Sequence, residues 1–277
     1  MKKFLLLVCV LLSSVSIVQS QSIFIVTDAP DLEEPGTGNL GDFLRDLGYS
    51  VTVDPGIDDP DAAGGNNSAF RGALSADQVA TLESHDLVLF HRSTDSGQFS
   101  AGLDQWNGLS VPLLNGSSYT ARDTRWIWVP NGNAPTDTVE YLFVSDPSHP
   151  IFTNVTIDDD GFVRLFDIDT PQDVNGLEVG GDLGNGKVVA ETEFAFHTAI
   201  GVWDEPGEFF EGGSSHTNRV VFFALSRYFE DDGTGAIAFE HYSEDGLQLL
   251  ANAVEYAIYG DVTGRTPSTS VGFWELH

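Results

Sequence analysis

A three-layer α/β domain, flavodoxin-like, with a mainly parallel sheet and extra β-strands in its second half, is the fold this sequence predicts. Residues 22–27 and 86–90 are short apolar runs without polar alternation, the pattern of strands buried on both faces. Between them, Leu40, Phe43, Leu44 and Leu47 recur at helical spacing and stop at Gly48. Beyond residue 160, β-rich segments and Gly/Asn turns take over from that strand–helix alternation.

The chain opens on Lys2 and Lys3, an apolar stretch from Phe4 to Leu12, and small residues at Val18 and Ser20. That order is a secretory leader, too short in its apolar part to anchor in a bilayer, so residues 1–20 are expected to be cleaved near Ser20. The product would be secreted or periplasmic, and so basic a leader on so acidic a product reads as bacterial. Residues 22–27 then form a strand and residues 40–47 a helix. Residues 49–53 form a second strand, which makes the opening a βαβ unit. Ser75 followed by Gln78 has the form of a capping box for a short helix leading into the strand at 86–90. A helix around 99–109 precedes the strand 111–114 and the turn Asn115, Gly116, Ser117, Ser118, Tyr119. Strands are expected at 163–168, 187–193, 199–203 and 219–225, with turn chemistry across 175–186. An apolar-faced helix runs from 246 to 259 and ends at Gly260. Residues 21–260 therefore read as one α/β domain, and 261–277 as a polar tail or truncated linker.

Composition narrows the function. The formal charge of −30 repels nucleic acid and anionic lipid, and removal of Lys2 and Lys3 makes it more negative still. Cys9 is the only cysteine and leaves with the leader, which removes disulfides, thiolate nucleophiles and thiolate metal sites from the mature chain. The partners this leaves are a small molecule, a glycan or a surface protein, with no membrane anchor in the mature chain.

Ser117 and Ser118 follow a strand and a tight Gly turn, where a nucleophile would stand at the carboxyl edge of the sheet. A serine needs a base and an orienting acid, for which His91, His197 or His216 would serve; His197 is the candidate carried forward. The same residues suit a helix cap equally well. Asp28, Ser93, Tyr119 and Arg122 would line one crevice if the first, third and fourth strands are neighbours, the place where open α/β sheets bind ligands. Arg122 and Arg125, alternating with Trp126 and Trp128, can recognise a carboxylate, stack on a sugar, or form intramolecular ion pairs. Trp126, Trp128 and Trp203 serve either as a carbohydrate platform or as core. Asp158 and Asp160, and Asp231 and Asp232, lie in acidic Gly-bearing loops that could hold calcium but lack EF-hand order, and plain turns explain them as well. No other cofactor is expected.

The run 23–28, the helix end from Phe43 to Tyr49, residues 86–90 with trailing Ser93, residues 111–116, His149 followed by Pro150, and the terminal helix 249–256 together resemble the class I glutamine amidotransferase-like superfamily. The similarity is to its ThuA-like and related secreted branches, and it covers most of 22–260. It implies a flavodoxin-like fold. Glutaminases of that superfamily carry a Cys on the elbow after the strand corresponding to 111–114, where this chain has Gly116, Ser117 and Ser118. They also carry a His followed two residues later by Glu, a pattern that His197, His216 and His241 do not match. Thiolate-dependent glutamine hydrolysis is thus excluded by chemistry.

Three functional expectations follow. The leading one is an exported amidotransferase-like domain without the glutaminase nucleophile, acting as a binding or accessory module for a carbohydrate or a cell-surface partner. The others are a hydrolase using Ser117 or Ser118 with a histidine, and a calcium-stabilised surface protein.

Overall fold

The computed structural model describes residues 20–58, 66–167, 171–179, 181–210, 214–226 and 241–264. The leader, Asp231, Asp232 and most of the polar tail lie outside the described residues.

Nine strands form one sheet: β1 (Ser22–Val26), β2 (Ser50–Val53), β3 (Leu87–Phe90), β4 (Leu113–Asn115), β5 (Tyr141–Val144), β6 (Phe162–Arg164), β7 (Lys187–Thr192), β8 (Thr198–Trp203) and β9 (Val220–Phe223). Their spatial order is β2-β1-β3-β4-β9-β8-β7-β5-β6. The first five in that order are parallel, with Phe24 opposite both Thr52 and Val88 and Leu114 opposite both Leu89 and Val221. From β9 onward every pairing is antiparallel. The fold class read from the sequence is the one observed. The added β segments extend the parallel sheet on one side rather than forming a separate layer.

The central parallel strands are mainly apolar because helices cover both faces; all four residues of β3 are fully buried. The chain steps from β1 to β2 on one side and then to β3 on the other. Right-handed crossovers in opposite directions place α1 (Leu40–Asp46) on one face, and α2 (Ala76–Glu83) and α3 (Leu103–Asn107) on the other. Helix α2 starts on the expected capping box: Ser75 accepts from the Gln78 amide, and the Gln78 side chain accepts from the Ser75 amide. A four-residue helix, α4 (Ser118–Ala121), follows β4. The last helix, α5 (Glu244–Tyr259), begins on a Ser243 cap and ends at Gly260, whose φ of 73° supplies the left-handed residue that such an ending favours. It packs against β4, β6 and β9.

Several boundaries differ from the sequence reading. The segment expected as one helix over 99–109 opens as a 3₁₀ turn (Ser96–Gly102) and becomes α-helical only over α3. The strand expected at 163–168 is confined to β6, beyond which Phe166 makes a single bridge to Tyr242. Strand β5 and a two-stranded ribbon, Thr136–Val139 paired with Gln172–Asn175, were not anticipated. Asn175, expected as turn chemistry, ends a ribbon strand.

Trp106, Trp126, Trp128 and Trp203 are fully buried. Trp106 stacks on Trp126 with centroids 5.3 Å apart, Trp126 meets Trp128 at 5.6 Å, and Trp128 meets Trp203 at 5.8 Å. Phe90 joins them edge-on to Trp126 at 4.8 Å. The indole N–H of Trp128 donates to Asn107 Oδ1 and that of Trp203 to the Leu183 carbonyl, each at 2.9 Å. The tryptophans are therefore core, and the alternative of an exposed carbohydrate platform is corrected by their burial.

Candidate functional site

The first, third and fourth parallel strands are β1, β3 and β4, and they are neighbours in the order β1-β3-β4. The strand order reverses between β1 and β3, so the crevice at their carboxyl ends is the topological switch point of the sheet. Each strand delivers polar residues there as it ends: Thr27 and Asp28 from β1, His91, Arg92 and Ser93 from β3, and, past Asn115 and Gly116, Ser117, Ser118 and Tyr119 after β4.

The inner part of this edge is a closed hydrogen-bonded cluster. Thr27 Oγ1 and Ser93 Oγ lie 2.8 Å apart across the switch point, and Ser93 Oγ lies 2.6 Å from His91 Nδ1. The Ser93 amide donates to the same Nδ1 at 3.0 Å, which requires that nitrogen to be unprotonated. Burial, aided by the neighbouring Arg92 charge, pushes the His91 pKa down to about 3, so the ring is neutral. Asp28 accepts the Ser68 amide at 2.7 Å and the Asp95 amide at 2.5 Å, one on each carboxylate oxygen. Burial raises its pKa while these two amides oppose the rise. Asp28 thus ties two loops to the end of β1. Asp54 acts in the same way on Ala69 and Gly56, at 2.9 Å each, and also accepts from the Ser68 hydroxyl.

The outer part of the edge is cationic and aromatic. The guanidinium carbons of Arg92 and Arg122 stand over the Tyr119 ring, 4.8 and 4.9 Å from its centroid. Arg92 donates through Nε and Nη2 to Asn175 Oδ1, at 3.1 and 2.5 Å. The Asn175 amide nitrogen donates in turn to Thr136 Oγ1 at 2.7 Å and to the Tyr119 hydroxyl at 3.3 Å. The ribbon carrying Asn175 and Thr136 is thereby clamped to the end of β3. Arg92 and Asn175 were missed by the sequence reading. Arg92, one of few cations in the chain and placed directly after a strand, was a usable signal. Asn175 was not legible, because its partners lie 83 and 56 residues away.

The serine candidates occupy a different environment. Ser117 and Ser118 are fully buried, and neither hydroxyl has a hydrogen-bond partner among the described residues. Ser117 holds the N-cap position of α4 without a side-chain cap bond. The side chain crowding the elbow is apolar: Leu225, two residues past β9, stands against the place where a Cβ on Gly116 would lie. Candidate His197 is engaged elsewhere. Its Nδ1 lies 2.7 Å from Asp137 Oδ2, and that oxygen also accepts the Thr192 hydroxyl at 2.9 Å. Asp137 neighbours Thr136 on the ribbon, so alternation puts the His197–Asp137 pair on the ribbon face opposite the Arg92 clamp. His91 faces Ser93, and His216 faces the backbone of Asn218. The structure therefore sets Asp28 beside Thr27, the partner of Ser93, and Tyr119 against Arg122, and among the described residues it brings no histidine to the Ser117 or Ser118 hydroxyl.

The calcium candidates that are described form a turn. Asp158 Oδ1 accepts the amides of Asp160 and Phe162, at 3.0 and 2.8 Å, and the Gly161 amide donates to the Asp158 carbonyl. Asp160 is exposed at the tip. Among the described residues, no group of three or more His, Cys, Asp or Glu is placed to hold a metal ion, and no helix is long and apolar enough to cross a membrane.

No family model matches the chain, and no curated protein matches it. Solved structures do. A ThuA-like protein from Parabacteroides merdae superposes with a TM-score of 0.50 at 11% identity, over 88% of this chain and 91% of that one. At that identity the likeness is one of fold alone: the two chains share an α/β architecture over most of their length.

Proposed function

We propose that the mature chain is an exported binding or accessory module that holds a polar small molecule, a glycan or the glycan of a surface partner at the carboxyl edge of β1, β3 and β4, and that it does not hydrolyse amides or esters there. The observation that carries this reading is the division of labour along one edge. The elbow serines are fully buried with no base beside them among the described residues, while Arg92, Tyr119, Arg122 and Asn175 converge a few residues away as hydrogen-bonding and stacking groups. A hydrolase would need the reverse arrangement, with the serine open and a histidine beside it. Export is supported by the leader-like segment and by a mature composition free of cysteine. The test is a glycan array probed with the mature chain and with Tyr119→Ala. Signal that falls at least about tenfold in the variant supports the site, on the footing that losing a ring stacked by two guanidinium groups costs ~1–2 kcal/mol or more. Undiminished binding by the variant, or covalent labelling of Ser117 or Ser118 by a fluorophosphonate, would contradict the proposal.

A further inference from the structure

The segment from Thr120 to Val129 is folded into a tight knot on the tryptophan core. The Arg122 carbonyl accepts two amides, those of Arg125 and Ile127, both at 3.0 Å. The Trp126 amide donates to the Thr120 carbonyl, and the Trp128 amide to the Ala121 carbonyl, each at 2.9 Å. Ile127 sits at φ 56°, a left-handed conformation in which a β-branched residue is strained. The reversal it produces turns Trp126 and Trp128 inward and leaves Arg122 and Arg125 half-buried on the outer side.

What these two arginines lack is as informative as where they stand. The chain carries 42 acidic residues against 12 Lys and Arg, so an arginine has abundant carboxylates available to it. Arg45, Arg164 and Arg219 each have one within 4.0 Å. Among the described residues, Arg122 and Arg125 have none. Arg122 spends Nε on the Tyr119 carbonyl and Nη1 on the Gly132 carbonyl, at 3.1 and 3.4 Å. Arg125 spends Nη1 on the Thr124 carbonyl at 2.9 Å, and its buried Nε has no partner. Asp123 and Asp95 are the acids in the vicinity, and neither closes an ion pair with them. Burial, and next the charge of Arg125, hold the Arg122 pKa below its usual value, so the two cations are close enough to repel each other. Two like charges held together on a strained loop, with Asp123 acting on Arg122 only through its field and no carboxylate among the described residues within 4.0 Å of either, form a preorganised anion receptor.

We infer that Arg122 and Arg125, with the Tyr119 ring beside Arg122, recognise a carboxylate- or sulfate-bearing ligand at the outer rim of the crevice. This inference rests on the binding reading above and narrows it from polar ligands to anionic ones. In a chain of net charge −30, diffuse attraction of anions is excluded, so anion preference must come from a local site.

The test is calorimetric titration of the mature chain with a panel of acidic oligosaccharides carrying uronate, sulfate or sialic acid groups. Each is paired with its neutral counterpart, methyl-esterified or desulfated, and sodium sulfate serves as the free-anion arm. At least one acidic member is expected to bind about tenfold or more tighter than its neutral partner. Arg122→Gln and Arg125→Gln should each weaken it by about tenfold, the loss expected for one charge-assisted hydrogen-bonded contact. Arg122→Lys should recover only part of the affinity, because an ammonium keeps the charge but loses the planar fork. Arg164→Gln, remote and paired with Glu140, should change nothing. Near-UV circular dichroism of the tryptophan core reports whether each variant is folded. Sulfate binding as tightly as the best oligosaccharide supports the site and identifies a free oxyanion as sufficient. Equal binding of acidic and neutral partners, lost in Tyr119→Ala, overturns the anionic inference and leaves the crevice reading intact. An acid preference retained by the folded double variant Arg122→Gln/Arg125→Gln overturns the assignment to these residues. No binding by any member overturns both.

Discussion

Mild acid should unfold this protein through its buried imidazoles, and His216 allows the effect to be isolated. The ring is fully buried; Nδ1 accepts the Asn218 amide at 3.0 Å, and Nε2 has no partner among the described residues. Burial pushes its pKa down to about 4, opposed only by the Asn218 backbone. Because the folded pKa lies below the unfolded value of about 6.5, the unfolded chain takes up the proton first as pH falls. The stability this neutral ring protects is therefore full above pH ~6.5 and is lost progressively down to pH ~4. At pH 5 the proton-linkage expression gives a loss of about 2 kcal/mol for this one group. In a domain of this size that corresponds to a fall of about 4–8 °C in Tm. His91, held down to about 3, adds a similar amount at pH 5 by the same reasoning. Asp28 and Asp54, raised by burial, act in the opposite sense. The measurement is urea unfolding of the wild type and of His216→Gln at pH 7 and pH 5. Subtracting the two pH differences cancels every group the proteins share, and the variant should lose about 2 kcal/mol less than the wild type. Equal losses in the two proteins would refute the argument, because the ring would then titrate alike whether the chain is folded or not.

Asp28→Ala leaves the amides of Ser68 and Asp95 without their acceptor and should cost about 3 kcal/mol or more in denaturant unfolding; a loss below ~1 kcal/mol would show that the carboxylate does not tie those loops. Ser118→Ala removes a buried hydroxyl with no partner and should leave stability unchanged or raise it by up to ~1–2 kcal/mol, whereas a marked loss would reveal a bond the geometry does not contain. Trp128→Ala opens the centre of the indole stack and should cost about 3–5 kcal/mol, read by thermal unfolding; a loss near 1 kcal/mol would mean that the cluster does not hold the domain together.

The parallel half of the sheet was legible because its strands are covered on both faces: residues 23–26 and 87–90 must be continuously apolar, and no amphipathic alternative competes. Ser75 with Gln78, and Gly260, were legible for a related reason, since caps are local and their partners lie within four residues. The adjacency of β1, β3 and β4 stood in the sequence only as a condition on the site, and the order of the sheet meets it.

What could not be read locally was decided by distance along the chain. Tyr141–Val144 becomes a strand because β7 offers it a distant partner, with Val144 pairing with Ala190. Asn175 changes from a turn residue to a clamp because Arg92 and Tyr119 come to meet it. Trp126 and Trp128 point inward because Ile127 reverses the backbone between them. The same reversal sets Arg122 and Arg125 outward, where among the described residues neither closes an ion pair. Residue types and strand order are written in short runs of the chain, but whether a hydroxyl is buried or a cation unpaired depends on which remote segments fold over it, and that is a property of packing alone.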